Sequence, residues 1–322
     1  MRRVLVRRPG SYDKLEFVEE TDPTAGPGET AIDVRAIGVN YADCVIRMGL
    51  YASAMHYVDG PITPGFDIAG ETSDGRRVVA VTRFGGYATR VVVPSHQVFE
   101  MPDGMSFEEA AAFPTIFLTA WYALFELGRP RPGKRALVHS AAGGVGSALL
   151  QLLQIADCRA AGVVGREEKV EAARALGADP VTVGDFAGDY DLVFDANGYK
   201  TLRRSYEALR PTGRLVVYGF HSMLPRKGGK ASALRLLWGW LQTPRFSPLK
   251  MTGENRSVLG FNLSYLFEER HILEEGMTML LDWYRQGRIR LPAIQTYPFA
   301  DVADAHKALE SGTTVGKLVL LP

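Results

Sequence analysis

Six consecutive residues, Ala141-Ala142-Gly143-Gly144-Val145-Gly146, have the types and spacing to hold a dinucleotide. An apolar run, 135–139, precedes them and another, 144–155, follows, so the glycines open a helix directly after a strand. In that setting Gly143 lets the backbone approach a pyrophosphate and Gly146 permits close packing of helix on strand. The helix start adds free N–H groups and a positive dipole end. Ala141 stands where the usual fingerprint has its first glycine. The same glycines would also serve a plain tight turn. Sites that prefer NAD place a carboxylate about 20 residues further on, against the ribose 2′-hydroxyl. Here the second strand ends in Gly165, followed by Arg166 and, a turn later, Lys169. Arg166 can grip a 2′-phosphate in bidentate fashion and Lys169 can add a point charge, which favours NADPH. Glu167 and Glu168 beside them leave open a merely solvated helix start, and Glu167 keeps NADH open.

The elements that must position these residues change character along the chain. The first hundred residues show short alternating runs, 30–39, 76–82 and 87–94, broken by Gly and Pro, which predict an all-β lobe. From Ser106 onward, with Glu109 completing a capping box, helix and strand alternate. Strands are expected over 135–139, 160–164, 180–183, 192–195 and 215–218, and helices over 144–155, 167–176 and 202–209. Such βα repeats specify a parallel, doubly wound sheet, an α/β fold. After an irregular stretch, 221–253, the pattern predicts a last strand over 257–263 and an amphipathic helix over 271–287. The tail 316–321 reads as a strand that could return to the first lobe.

The segment from Gly38 to Tyr51, then Pro64-Gly65-Phe66-Asp67-Ile68-Ala69-Gly70, together with 140–146, resembles the medium-chain dehydrogenase/reductase superfamily. Within it, the chain looks like the quinone oxidoreductase, or zeta-crystallin, branch. It is similar there to the vesicle amine transport protein group through Asn40-Tyr41-Ala42-Asp43, Arg47-Met48-Gly49-Leu50-Tyr51, Gly260-Phe261-Asn262-Leu263 and Val315-Gly316-Lys317. The resemblance runs from about residue 4 to the C-terminus and implies two domains. A mainly β, GroES-like substrate domain would comprise 1–114 and 264–322, and a Rossmann NADPH-binding domain 115–263. Zinc-dependent members carry Cys at position 40 and a His-Glu pair at 66–67, where this chain has Asn40 and Phe66-Asp67. The four-cysteine structural lobe is missing too, and the six histidines show no paired ligand spacing. No metal is therefore expected.

Without a Lewis acid, alcohol oxidation is hard, whereas conjugation stabilises the anion formed when hydride adds to a quinone or an enone. The resemblance implies that reaction, with NADPH as donor. Asn40 and Tyr51 would bond the carbonyl oxygen, Tyr51 or water would donate the proton, and Asp43 would orient the segment. Tyr41 and Tyr51 could equally be aromatics packed between lobes. Thr119 and the backbone of 260–263, with Phe261, Asn262 and Leu263, would face the nicotinamide. Asn197, Gly198, Gly219 and Phe220 follow strand ends on the cofactor side, and Lys317 joins the cofactor set through its motif. Two departures stand out. Gly184 replaces a Tyr often found near the adenosine phosphate, and 70–78 is shorter than usual.

Composition narrows the partners. A net charge of +1 from 37 basic and 36 acidic side chains offers no global field for nucleic acid or membrane. Two cysteines cannot build a disulfide framework, and the N-terminus lacks a secretory apolar core, so a cytoplasmic, soluble chain is expected. The stretch 221–253 is the exception. It has no acidic residue, while Arg226, Lys227, Lys230, Arg235, Arg245 and Lys250 accompany Leu234, Leu236, Leu237, Trp238, Trp240 and Leu241. A lid over the cleft, a dimer contact and a weak contact with an anionic membrane surface all fit. The competing function is thus a nucleotide-binding protein that engages lipid or a partner with little turnover. The family likeness also implies a homodimer, paired at the edge near 257–263.

Overall fold

The structure, a computed structural model, describes residues 1–225 and 228–322; Arg226 and Lys227 of the basic stretch lie outside the described residues. A two-stranded ribbon opens the chain, β1 (Arg2–Leu5) and β2 (Glu16–Glu19), before the long strand β3 (Glu29–Val39). Helices α1 (Tyr41–Arg47) and α2 (Ala52–Tyr57) separate β3 from β4 (Asp67–Thr72), β5 (Arg77–Val81), β6 (Arg90–Pro94) and β7 (Val98–Glu100). The short 70–78 segment is a tight hairpin, closed by Thr72 N–H on the Arg76 carbonyl with Gly75 at φ +82°. The strand expected over 87–94 starts only at Arg90. Ahead of it, the N–H groups of Gly86 and Tyr87 turn to the carbonyls of Gly65 and Pro64 instead of a ladder partner.

Ser106 and Glu109 cap α3 (Phe107–Ala111) reciprocally, and Pro114 begins α4 (Pro114–Trp121). The βα alternation follows: β8 (Arg135–His139), α5 (Gly144–Ile155), β9 (Arg159–Val164), α6 (Val170–Arg174), β10 (Ala178–Val183), β11 (Tyr190–Asp195), α7 (Leu202–Glu207) and β12 (Leu209–Val217). Then come α8 (Ala233–Gln242), α9 (Pro248–Glu254), β13 (Ser257–Gly260), α10 (Arg270–Arg285), β14 (Ile294–Pro298), α11 (Val302–Ser311) and β15 (Lys317–Leu321).

Six strands form one parallel sheet in the order β10-β9-β8-β11-β12-β13, the doubly wound arrangement. The order reverses beside β8, which opens a crevice at the ends of β8 and β11. The second sheet runs β14-β15-β3-β4-β5-β7, with β6 also on β3. The C-terminal strand does return: β15 lies antiparallel to β3 and parallel to β14. One apolar cluster crosses both lobes, from Ala36, Val79 and Val81 through α4 to Leu149 of α5 and Phe194 of β11.

Three further expectations need correction. The helix over 167–176 is a single 3-10 turn, Glu167–Lys169, followed by α6, which ends at Arg174; Gly177 at φ +87° turns the chain away. The last strand stops at Gly260, because the Asn262 side chain accepts the Ser264 N–H and caps a 3-10 segment, Leu263–Glu268. The stretch 221–253 is not irregular throughout, for it holds α8 and α9. Leu234, Leu237, Trp238 and Leu241 follow the helical period and Pro248 opens α9.

Candidate active site

Helix α5 begins straight from β8, and the connection fits in four residues because Ser140 adopts φ +53°. The Gly143 N–H then reaches the Ser140 carbonyl at 2.8 Å. A Cβ on Gly146 would lie 2.2 Å from that same carbonyl oxygen, and one on Gly144 would lie 2.9 Å from Ile116. Glycine is thus required where helix meets strand. Ala142 is buried and Val145 half-buried beside them. The Ser140 hydroxyl donates to Asn197 Oδ1 (3.2 Å), and Gly198, at φ +88°, lies against Phe220, so the ends of β8, β11 and β12 converge. Gly165 is open and Arg166, half-buried after β9, pairs loosely with Glu168 at 3.5 Å. Lys169 reaches across to the carbonyls of Gly312 and Thr314 at 2.8 and 2.7 Å. Gly316 forms a parallel bridge with Gly143, so the segment before β15 lies on the glycine turn.

One residue later, Lys317 is 3% exposed and its ammonium contacts Asn40 Oδ1 at 2.5 Å and Asp67 Oδ2 at 2.9 Å. Asn40 Nδ2 donates to the same Asp67 oxygen at 2.9 Å, while Asp67 Oδ1 accepts the N–H and hydroxyl of Thr115. Asn40 also starts α1, its N–H given to Asp43 Oδ2. Asp43 has no exposed surface and accepts further bonds from Gly65 N–H and the Tyr87 hydroxyl. Burial lifts its carboxyl to about 7 against these three donors. It therefore orients the Asn40 turn from behind.

From the other side, the Tyr51 hydroxyl donates to Asn262 Oδ1 (2.9 Å) and lies 3.0 Å from Ser264 Oγ. Burial raises its pKa, opposed by the Ser264 contact. Asn262 thus carries a substrate-lobe phenol while capping the turn after β13, and its Nδ2 makes no hydrogen bond to the described residues. Tyr51, Phe66 and Phe84 stack edge to face at 5.7 to 6.4 Å. Phe261 packs on Tyr122, Thr119 is buried on α4 and Leu263 is buried below.

The composition gave no sign of a second buried network, behind α1. The Arg47 guanidinium, with no exposed surface, pairs with buried Glu310 at 2.6 Å and bonds His306 Nδ1 at 3.0 Å. It also reaches the carbonyls of Gly10 and Gly229. Arginine can only donate, so His306 is a neutral tautomer with its proton on Nε2, aimed at the Tyr87 oxygen 3.0 Å away. The chain Arg47, His306, Tyr87, Asp43 therefore runs donor to acceptor up to the Asn40 turn. Cys44, His306 and Glu310 come within metal-ligand reach, but the guanidinium already bonds two of the three. One clue was legible: Asp43, Cys44 and Arg47 share a helical face, so a face that buries Cys44 also buries the arginine.

Residues 26–103 match the family described as alcohol dehydrogenase GroES-like domain, and 176–320 that described as zinc-binding dehydrogenase. The synaptic vesicle membrane protein VAT-1 homolog of Rattus norvegicus is 34% identical over 336 residues, 97% of this chain and 82% of the relative. The chain belongs to the medium-chain dehydrogenase/reductase superfamily. Its resemblance to the quinone oxidoreductase branch holds in three dimensions. The quinone oxidoreductase from Thermus thermophilus, whose structures include a complex with NADPH, superposes with a TM-score of 0.84 at 32% identity over 100% of both chains. A 2-haloacrylate reductase from Burkholderia is 26% identical over 343 residues, 99% of this chain and 98% of the relative. Superfamily membership accounts for the two sheets.

Burial drives the His306 pKa down to about 3 from an ordinary 6.5, with Arg47 adding to the shift. The folded state thus binds this proton less readily than the unfolded chain. Its stability is intact above 6.5 and falls as pH drops toward 3, by about 2 kcal/mol between 6.5 and 5. In urea unfolding, His306→Gln should be less stable than wild type at pH 7.5, and the gap should narrow at pH 5. A gap of constant size would refute a buried neutral imidazole.

Proposed function

We propose that the chain is an NADPH-dependent reductase acting on a quinone or an α,β-unsaturated carbonyl. Its substrate lobe would comprise 1–114 and 264–322, and its cofactor lobe 115–263. The observation that carries this reading is the Gly143–Gly316 bridge followed at once by Lys317 on Asn40, which sets a carbonyl-binding amide beside a nucleotide turn. The turn suits a dinucleotide. Gly146 lets α5 start tight against the Ser140 carbonyl, and no described side chain caps the first turn of α5, whose N–H groups are left for an anion. Ala142 to Gly146 would take the pyrophosphate, with Asn197, Gly198, Gly219 and Phe220 alongside. Gly165, Arg166 and Lys169 would receive the ribose phosphate, and Thr119, Phe261, Asn262 and Leu263 the nicotinamide. The cofactor supplies hydride when bound.

The rest falls to the chain. Asn40 Nδ2 keeps a second N–H, beyond the one given to Asp67, for a substrate oxygen. Tyr51 holds a proton on a hydroxyl now given to Asn262, so Tyr51 or water would donate it. The Tyr51, Phe66 and Phe84 rings form an apolar wall that suits a flat conjugated carbonyl. The relatives agree in type, since a quinone and a 2-haloacrylate are both conjugated acceptors.

A second role is supported by α8. Leu234, Leu237, Trp238 and Leu241 share its outer face at 80, 54, 59 and 58% exposure, while Gly239 packs inward on Met223 and Tyr199. Lys230, Arg235, Arg245 and Lys250 flank these residues in the sequence and no acid lies within 221–253. Pairing the patch with itself would set cation against cation, so an anionic lipid surface is the better partner. No helix among the described residues is long and apolar enough to cross a membrane, so contact would be in-plane. A second copy would instead pair along β13, one of the two edge strands of the parallel sheet.

Quinones and enones should speed loss of the reduced-nicotinamide absorbance, and Arg166→Asp should weaken NADPH binding about tenfold or more while sparing NADH. NADPH binding without turnover on any acceptor would defeat the reductase reading, and unchanged affinity in Arg166→Asp the phosphate assignment. Vesicles rich in phosphatidylserine should sediment the wild type and leave Trp238→Ser/Leu241→Ser in solution; equal recovery of the two would overturn the lipid contact. Sedimentation velocity should give the mass of two chains, and a single-chain mass at micromolar concentration would rule out the β13 pair.

A further inference from the structure

We infer that Lys317 is a positioning residue for the reaction, holding and polarising the Asn40 amide toward the substrate oxygen. The inference rests on the reading of Asn40 as the carbonyl-binding group, and it replaces the cofactor-binding role that the motif implied for Lys317, whose ammonium is given to Asn40 and Asp67. An ammonium can only donate and a carboxylate can only accept, so Lys317 on one side and Asp67 on the other permit a single orientation of the amide. Oδ1 must face Lys317 at 2.5 Å and Nδ2 must face Asp67 at 2.9 Å. Lys317 and Asp67 are 3% and 0% exposed, so neither bond is diluted by water.

The charges matter beyond orientation. Asp67 alone, bonded to Nδ2, would make that nitrogen a poorer donor and would repel negative charge growing on a substrate oxygen. The ammonium cancels this charge, 2.9 Å from the carboxylate, and draws electron density through Oδ1, strengthening the remaining N–H. A cation one amide removed from the substrate oxygen thereby assists where a metal would touch it directly.

The backbone carrying Lys317 is also fixed. Gly316 has φ +82°, a Cβ there would lie 2.0 Å from the Ala293 carbonyl oxygen, and the Lys317 N–H donates to that carbonyl at 2.9 Å. Gly316 bridges Gly143, and upstream the carbonyls of Gly312 and Thr314 hold Lys169. The nucleotide side of the cleft therefore sets the reach of the ammonium to Asn40.

The test compares wild type with Lys317→Met, Lys317→Arg and the double variant Asp67→Asn/Lys317→Met, in which no buried charge is left unpaired should the single change fail to fold. With a quinone as acceptor, kcat should fall about tenfold in each variant lacking the ammonium, while KM and the Kd for NADPH stay within about twofold. Lys317→Arg should recover part of the loss. The Asn40 side-chain amide, followed by NMR in asparagine-labelled protein, should move upfield in both ammonium-free variants and stay near its wild-type position in Lys317→Arg. A kcat within about twofold of wild type in the double variant, or an unmoved Asn40 amide, would overturn the inference. Should wild type bind NADPH but reduce no acceptor, the reductase reading falls and the amide resonance alone decides the role of Lys317.

Discussion

The return of the C-terminal strand is the constraint on which the site depends. β15 enters antiparallel to β3 with Leu318 opposite Val39, and that register sets Lys317 beside Asn40. The residue before it touches Gly143, so a single backbone crossing ties the second sheet to the glycine turn. A shift of one residue would turn the ammonium to the opposite face and leave Asp67 buried without a cation. Hydrophobic burial along β15, where Lys317 to Leu320 are all buried, holds the register and with it the electrostatics.

Two polar networks meet at the Asn40 turn from opposite sides. Asp67 and Lys317 grip the side chain, while Asp43, Tyr87, His306 and Arg47 fix the backbone from behind. Every member of the second chain is buried, so its hydrogen bonds are directional as well as strong, and the neutral His306 tautomer follows from its neighbours. The same Arg47 reaches Gly229, and Leu224 packs with Cys44 and Met48. The segment that leaves β12 thereby crosses from the nucleotide sheet to α1, fastening the two lobes together while α8 beyond it faces outward.

Much was legible in the sequence because it is local. The glycine turn, the Ser106 capping box and the βα alternation depend on residues within a few positions of one another, where steric rules and hydrophobic period act directly. The errors were local as well: a helix ran past Arg174, a strand ran past Gly260, and the helical period of α8 went unread inside a stretch taken as irregular.

The sequence by itself determined the parallel sheet, the glycine turn that opens α5, and Asn40 and Phe66 where zinc-dependent relatives carry ligands, since each is a matter of residue type at a place. Only the tertiary structure decided which polar groups meet. Asn40 and Lys317 are 277 positions apart, Arg47 and Glu310 263, and Tyr51 and Asn262 211. No periodicity encodes such pairs. They arise when strand register and helix packing bring buried donors and acceptors together, and burying one of these charged groups without the other would carry a large desolvation cost.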